Sequence, residues 1–222
     1  MDDLARHADD LAALPPSCGP VRLVAVDGHA GSGKSTFAAR LAAVLDGAPV
    51  LHLDDLATHE ELFGWTGRLR EQVILPLSRG ESARYAPYDW TERRFGPART
   101  LDPAPVVLVE GVGAGRRRVR PWLAALCWME LDRETSWERG RRRDGAGLTG
   151  FWDGWTVAED RHFTEDPSRP YADALVRQLP EGYAWLEGPR ATAGPNRSVT
   201  HGSRNAPPYS SRKSARKCPN SA

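Results

Sequence analysis

Apolar positions change their period several times along the chain, and each change marks a boundary. Leu4, Ala8, Leu11 and Leu14 recur at helical spacing up to Pro15-Pro16, which predicts an amphipathic helix over 2–14. Val21 to Asp27 is a short apolar run and predicts a strand, followed by the polar segment Gly28 to Thr36. Thr36 to Leu45 reads as a helix closed by Asp46-Gly47, and Pro49 to Leu53 as a buried strand ending at Asp54-Asp55, completing a βαβ unit. Leu69, Val73, Ile74 and Leu77 share one face of a helix predicted over 66–78. Tyr85 to Trp90, interrupted by Pro87, suits an extended arm, whereas Val106 to Glu110 is uninterrupted and predicts a strand buried on both faces. A helix is expected from Arg120 to Leu126, a strand from Cys127 to Leu131 and a helix from Arg133 to Arg143. A glycine-rich connection, Asp144 to Gly150, leads to a helix from Phe151 to Phe163 and a last strand from Ala174 to Arg177. Such alternation predicts an α/β three-layer sandwich with a mostly parallel sheet.

Composition narrows the class without changing this outline. The 222 residues suit one domain with one site. From Glu187 onward large apolar residues almost vanish, so we expect a domain over 1–186, N-terminal helix included, and a disordered basic tail over 187–222. Residues 190–222 hold seven Arg or Lys and no Asp or Glu, which leaves a body of 23 basic and 29 acidic residues. An acidic body argues against a nucleic-acid-binding face. Cys18, Cys127 and Cys218 lack metal-ligand spacing and read as idle thiols. No stretch approaches the roughly 20 apolar residues of a membrane span, and the N-terminus is charged where a signal peptide would be apolar. A cytoplasmic protein without membrane partners is expected.

The polar segment inside the first βαβ unit carries the chemistry. Gly28-His29-Ala30-Gly31-Ser32-Gly33-Lys34-Ser35-Thr36 is a complete G-x-x-x-x-G-K-S pattern between a strand and a helix. Gly28, Gly31 and Gly33 allow the backbone to curl closely around a polyphosphate. The helix beginning near Lys34 aims its N-terminus at the anion, Lys34 can bridge the outer phosphates, and Ser35 has the hydroxyl expected on Mg²⁺. Lys34 is also the only lysine before residue 213, as if a compact ammonium were required there. ATP and GTP both suit such a loop.

Three further groups fall where ligands bind in open α/β sheets, at the carboxyl edge. Asp54 and Asp55 end the second strand; a carboxylate there can accept a hydroxyl proton, hold Mg²⁺ through water or cap the next segment. Glu110 ends the most apolar strand and is a candidate to position Mg²⁺. Arg139, Arg142 and Arg143, at a helix end beside flexible glycines, are candidates to close over a triphosphate. Trp152, Trp155, Glu159 and His162 share a helical face and read first as packing, Glu159 being a weak candidate for the site.

Taken together, these residues resemble the uridine kinase and phosphoribulokinase branch of P-loop kinases over about 20–178. The loop, the Asp54-Asp55 pair, Val109-Glu110-Gly111 and the run from Arg139 to Asp144 are similar to that family's ordered motifs. The resemblance implies ATP and Mg²⁺ as cofactors, Asp54 as general base, the 139–144 run as an arginine lid, and a small-molecule phosphoacceptor such as a nucleoside. Pro87-Tyr88-Asp89-Trp90 resembles the family's nucleoside-contacting arm, which makes Asp55, Tyr88 and Arg93 the expected acceptor contacts. Arg93 stands where that family places a histidine, and Leu56-Ala57 where it places an aromatic residue.

A nucleotide switch or partner-coupled hydrolase is the competing class. Against a GTPase, the chain has no N-K-x-D motif, and its D-x-x-G from Asp144 to Gly147 follows no buried strand. Against a mechanical ATPase, Glu110 stands alone before glycine.

Overall fold

The computed structural model describes residues 3–192. Its centre is a six-stranded sheet, in the order β10-β9-β8-β1-β7-β2. These strands span β1 Arg22–Asp27, β2 Val50–His52, β7 Val106–Glu110, β8 Leu123–Met129, β9 Ala174–Gln178 and β10 Tyr183–Glu187. All neighbouring pairs are parallel except β9 with β10. The alternation of side chains in β1 divides the core. Val24 and Val26 face α1 (Asp3–Ala13) and α2 (Lys34–Val44), whose Leu4, Ala8, Leu11, Phe37 and Leu41 form one cluster. Leu23 and Ala25 face the other way, with Leu69, Val73, Ile74 and Leu77 of a helical segment over 66–78, here α3. Helices thus cover both faces of a mostly parallel sheet, a three-layer sandwich.

Residues 66–78 form one continuous helical segment, but not a regular one. It is α-helical over Thr66–Leu69 and Leu75–Ser78, with a π turn over Arg70–Ile74 between them. Pro76 supplies the reason, since its ring collides with the carbonyl four residues earlier in a regular helix, and widening the preceding turn relieves the collision.

Two small antiparallel pairs form the arm between α3 and β7: β3 (Ala83–Tyr85) with β6 (Arg99–Leu101), and β4 (Tyr88–Asp89) with β5 (Arg94–Phe95). Asp89 builds the turn of the second pair by accepting the backbone N–H groups of Thr91 at 2.9 Å and Glu92 at 2.8 Å. After β8 come α4 (Arg133–Asp144), capped by Asp132 accepting from the Thr135 N–H at 3.1 Å, and α5 (Thr149–Glu165).

Two stretches differ from expectation. The helix expected from Arg120 to Leu126 is only a 3-10 turn at Arg120–Trp122, and β8 begins at Leu123. Leu123 and Ala125 to Met129 are buried in the middle of the sheet, where pairing with β1 and β9 outweighs the helical preference of Leu and Ala. Regular structure also runs past 186, through β10 and a short α6 (Pro189–Thr192). Tyr183 and Trp185 of β10 pack edge-on and tilted against Phe37, at 5.0 and 5.8 Å between ring centroids. The rest of the expected tail, 193–222, lies outside the described residues. No described helix is long and apolar enough to cross a membrane.

Candidate active site

The carboxyl ends of β1, β7 and β2 lie side by side, so the loops that follow them share one edge of the sheet. Asp27, the last residue of β1, is fully buried and joins two of those loops. Its carboxylate accepts the N–H groups of Gly28 at 2.7 Å and of Gly113 and Gly115 at 2.8 Å each. The loop that begins at Gly28 and the turn after β7 are therefore fixed to the same acid.

From Gly28 the loop turns through Gly31 at φ +85° and Gly33 at φ +95°, left-handed positions that only glycine takes without strain. Gly33 caps α2, so the helix N-terminus opens at Lys34. The Lys34 ammonium donates to the His29 carbonyl at 2.9 Å. Ser32 has a buried hydroxyl with no hydrogen-bond partner among the described residues, a donor inside the curl of the loop. Such a donor set suits an anion rather than an apolar ligand.

Glu110 is buried at the end of β7, opposite His52 in the register. Its Oε1 accepts the Ser35 hydroxyl at 3.1 Å and lies 2.6 Å from Nδ1 of His52. Burial pushes the Glu110 carboxyl up, but His52, Lys34 and Ser35 outweigh it and hold it below the usual carboxylate range. His52 in turn is raised by that bond to Glu110. Asp54 is exposed to the cavity rather than to bulk solvent: desolvation by the enclosing walls, then the charge of Glu110, pushes its carboxyl up, with Lys34 acting in the opposite sense.

One cavity of about 670 Å³ gathers these groups. Ala30, Gly31, Gly33, Lys34, Ser35 and Thr36 line it from the loop, Asp54 and Glu110 from the strand ends. Arg139 and Arg143 line it from α4. Arg142, in the same turn, stays outside the lining. Arg139 donates to the Gln178 side chain at 3.2 Å, and Arg143 makes a two-pronged pair with Asp144 at 2.6 and 3.0 Å. Gly28, Ser32 and His29 lie behind the lining, His29 turned toward α5.

Aromatic rings wall the remaining part of the cavity. His59 and Trp90 are 4.8 Å apart, Trp90 and Phe151 6.1 Å, and Phe151 and Trp155 5.8 Å, so the wall runs without a break from the arm to α5. The Trp90 indole donates to the Asp54 carbonyl at 3.1 Å, tying the wall to the catalytic candidate.

The expected acceptor contacts stand behind this wall rather than in it. Tyr88 is buried, hydrogen-bonded through its hydroxyl to Nδ1 of His59 at 3.0 Å. Arg93 occupies a left-handed position, φ +54°, at the tip of the β4–β5 turn and pairs with Glu60 at 3.1 Å on the surface. Asp55 accepts the Tyr85 hydroxyl at 3.4 Å and lies 3.8 Å from Arg99. Sequence reasoning did not reach His59, Trp90 or Phe151 as lining.

No family model matches the chain, and no curated protein matches it. Among solved structures it is similar to one described as a possible uridine kinase from Bacillus stearothermophilus, at 18% identity and a TM-score of 0.57, covering 78% of this chain and 97% of that one. A protein described as a fructose transport system kinase from Silicibacter sp. TM1040 aligns at 22% identity and a TM-score of 0.49, covering 71% of this chain and 88% of that one. At such identities the likeness concerns architecture: the chain has a mostly parallel sheet flanked by helices, a three-layer sandwich.

Proposed function

We propose that this chain is an ATP- and Mg²⁺-dependent phosphotransferase that moves the γ-phosphoryl group to a hydroxyl of a small molecule. The observation that carries the reading is the single cavity in which the phosphate loop, Asp54, Glu110 and the Arg139/Arg143 face meet an aromatic wall. The loop N–H groups and Lys34 hold the triphosphate. Ser35 and Glu110 offer a hydroxyl and an ionised carboxylate, hard oxygen donors that fit Mg²⁺, which when bound neutralises phosphate charge. Asp54 takes the proton of the acceptor hydroxyl as its oxygen bonds to the γ-phosphorus. The bond to the bridging oxygen breaks and ADP leaves, with Arg139 and Arg143 offsetting the charge in transfer.

The wall favours an acceptor with a flat, uncharged face and a hydroxyl beside Asp54; a nucleoside such as uridine meets that description. In this reading Tyr88 and Asp55 serve the acceptor indirectly, by holding His59 and the arm, and Arg93 braces the arm tip against Glu60. The test is a screen with γ-labelled ATP against nucleosides, neutral aromatic alcohols and sugar phosphates. Label is expected in a neutral ring-bearing acceptor. Steady phosphate release with no labelled organic product would identify a hydrolase or switch instead.

A further inference from the structure

Glu159 is fully buried on α5, yet each of its oxygens receives two N–H groups. Oε1 lies 2.7 Å from Nδ1 of His29 and accepts the Trp137 indole at 3.0 Å; Oε2 accepts the Ala30 backbone N–H at 3.1 Å and the Trp155 indole at 2.8 Å. A buried carboxylate is tolerated when it is paired in this way. The partners are not random core groups. His29 and Ala30 belong to the phosphate loop, Trp137 to α4 and Trp155 to α5 itself.

The loop end of this network reaches the key cation, because the His29 carbonyl is the acceptor for Lys34. The helix end reaches the lid. Trp137 lies two residues before Arg139 and three before Gly140 on α4, and Gly31 of the loop abuts the same helix so closely that an added Cβ would fall 2.0 Å from the Ser136 carbonyl oxygen. Gly140 is pressed in turn against Trp152 of α5, where a Cβ would meet the ring at 2.2 Å. Loop, α4 and α5 are thus in direct contact, with one acid hydrogen-bonded to all three.

We propose that Glu159 is a positioning residue for the nucleotide: it fixes His29 and Ala30 of the loop to α4 and α5, so that Lys34 and the Arg139/Arg143 face meet the triphosphate in a set register. The inference rests on the kinase reading above and adds to it a residue outside the cavity lining.

The test is calorimetric titration of MgATP into the full-length protein and its Glu159→Gln variant, which keeps the shape of the side chain but turns an NH₂ toward donors. MgATP should bind at least about tenfold more weakly, as expected when buried donors lose their acceptor. In the transfer assay the KM for ATP should rise by a similar factor, and by more than the KM for the acceptor, whose wall Glu159 touches only through Trp155, an order that general loosening of the fold does not impose. Trp137→Phe keeps the ring and removes one donor. It should weaken MgATP by about two- to fivefold, and the double variant by less than the product of the two single effects. Wild-type affinity in folded Glu159→Gln overturns the proposal. Should that variant fail to fold, wild-type affinity in Trp137→Phe does so. If the unaltered protein binds no MgATP, the kinase reading fails first and this one with it.

Discussion

Two carboxylates near the phosphate loop are driven in opposite directions by their surroundings. Glu110 is held ionised by His52, Lys34 and Ser35 despite its burial, whereas Asp54 is raised by desolvation and by Glu110 itself. On the proposed reading, an acid that stays charged suits a cation and one that keeps a higher proton affinity suits a base. At the same scale, Trp90 is the ring that both lines the cavity and touches the Asp54 backbone. Trp90→Ala is expected to raise the acceptor KM by about tenfold while leaving the KM for ATP unchanged; steady-state kinetics with each substrate varied would check this. That Lys34, Ser35 and the loop glycines gather at the cavity was legible in the sequence, because the loop pattern fixes backbone, lysine and hydroxyl together. The acceptor side was less legible: Tyr88 and Arg93 were singled out by position, but the β4–β5 turn made by Asp89 buries the one and points the other to the surface. Turn geometry of that kind is not written in hydrophobic period.

Among the elements, α4 and α5 are held by contacts too close for ordinary side chains. Gly140→Ala drives a methyl group into Trp152 and should cost about 1–3 kcal/mol, read as a lower midpoint in urea. Adding Trp152→Leu should recover part of that loss, because the collision is with this ring and not with backbone. Gly31→Ala has no such remedy: its neighbours are the Ser136 carbonyl and the Gly140 N–H, and its φ is left-handed. We expect that variant to lose MgATP binding even where it folds. Most elements have the type and place the sequence predicts, including β1, β7, α2 and α5. The failure at 120–126 shows where that reading ends, since a short run of Leu and Ala buried on both faces has no period to separate strand from helix. Missing β10 has a related cause: as an edge strand with only intermediate burial, it alternates weakly.

For the whole molecule, the same packing that docks α5 makes stability depend on pH. Burial, then the neighbouring Arg116, holds His162 down to about 4 from its ordinary 6.5. Between those values the unfolded chain takes up a proton that the folded chain refuses, so stability present above pH 6.5 is lost as pH falls, by roughly 3 kcal/mol at the lower end. Urea denaturation from pH 7 to 4.5 should show this loss, and His162→Gln should flatten it while being less stable at pH 7, where its stacking on Phe63 is gone. The most direct measurement of the central claim concerns Asp54, in a protein whose nucleotide site is left alone. Purified Asp54→Asn should bind MgATP as the unaltered chain does and transfer no label to any acceptor that the unaltered chain phosphorylates. Full transfer by that variant would contradict the account.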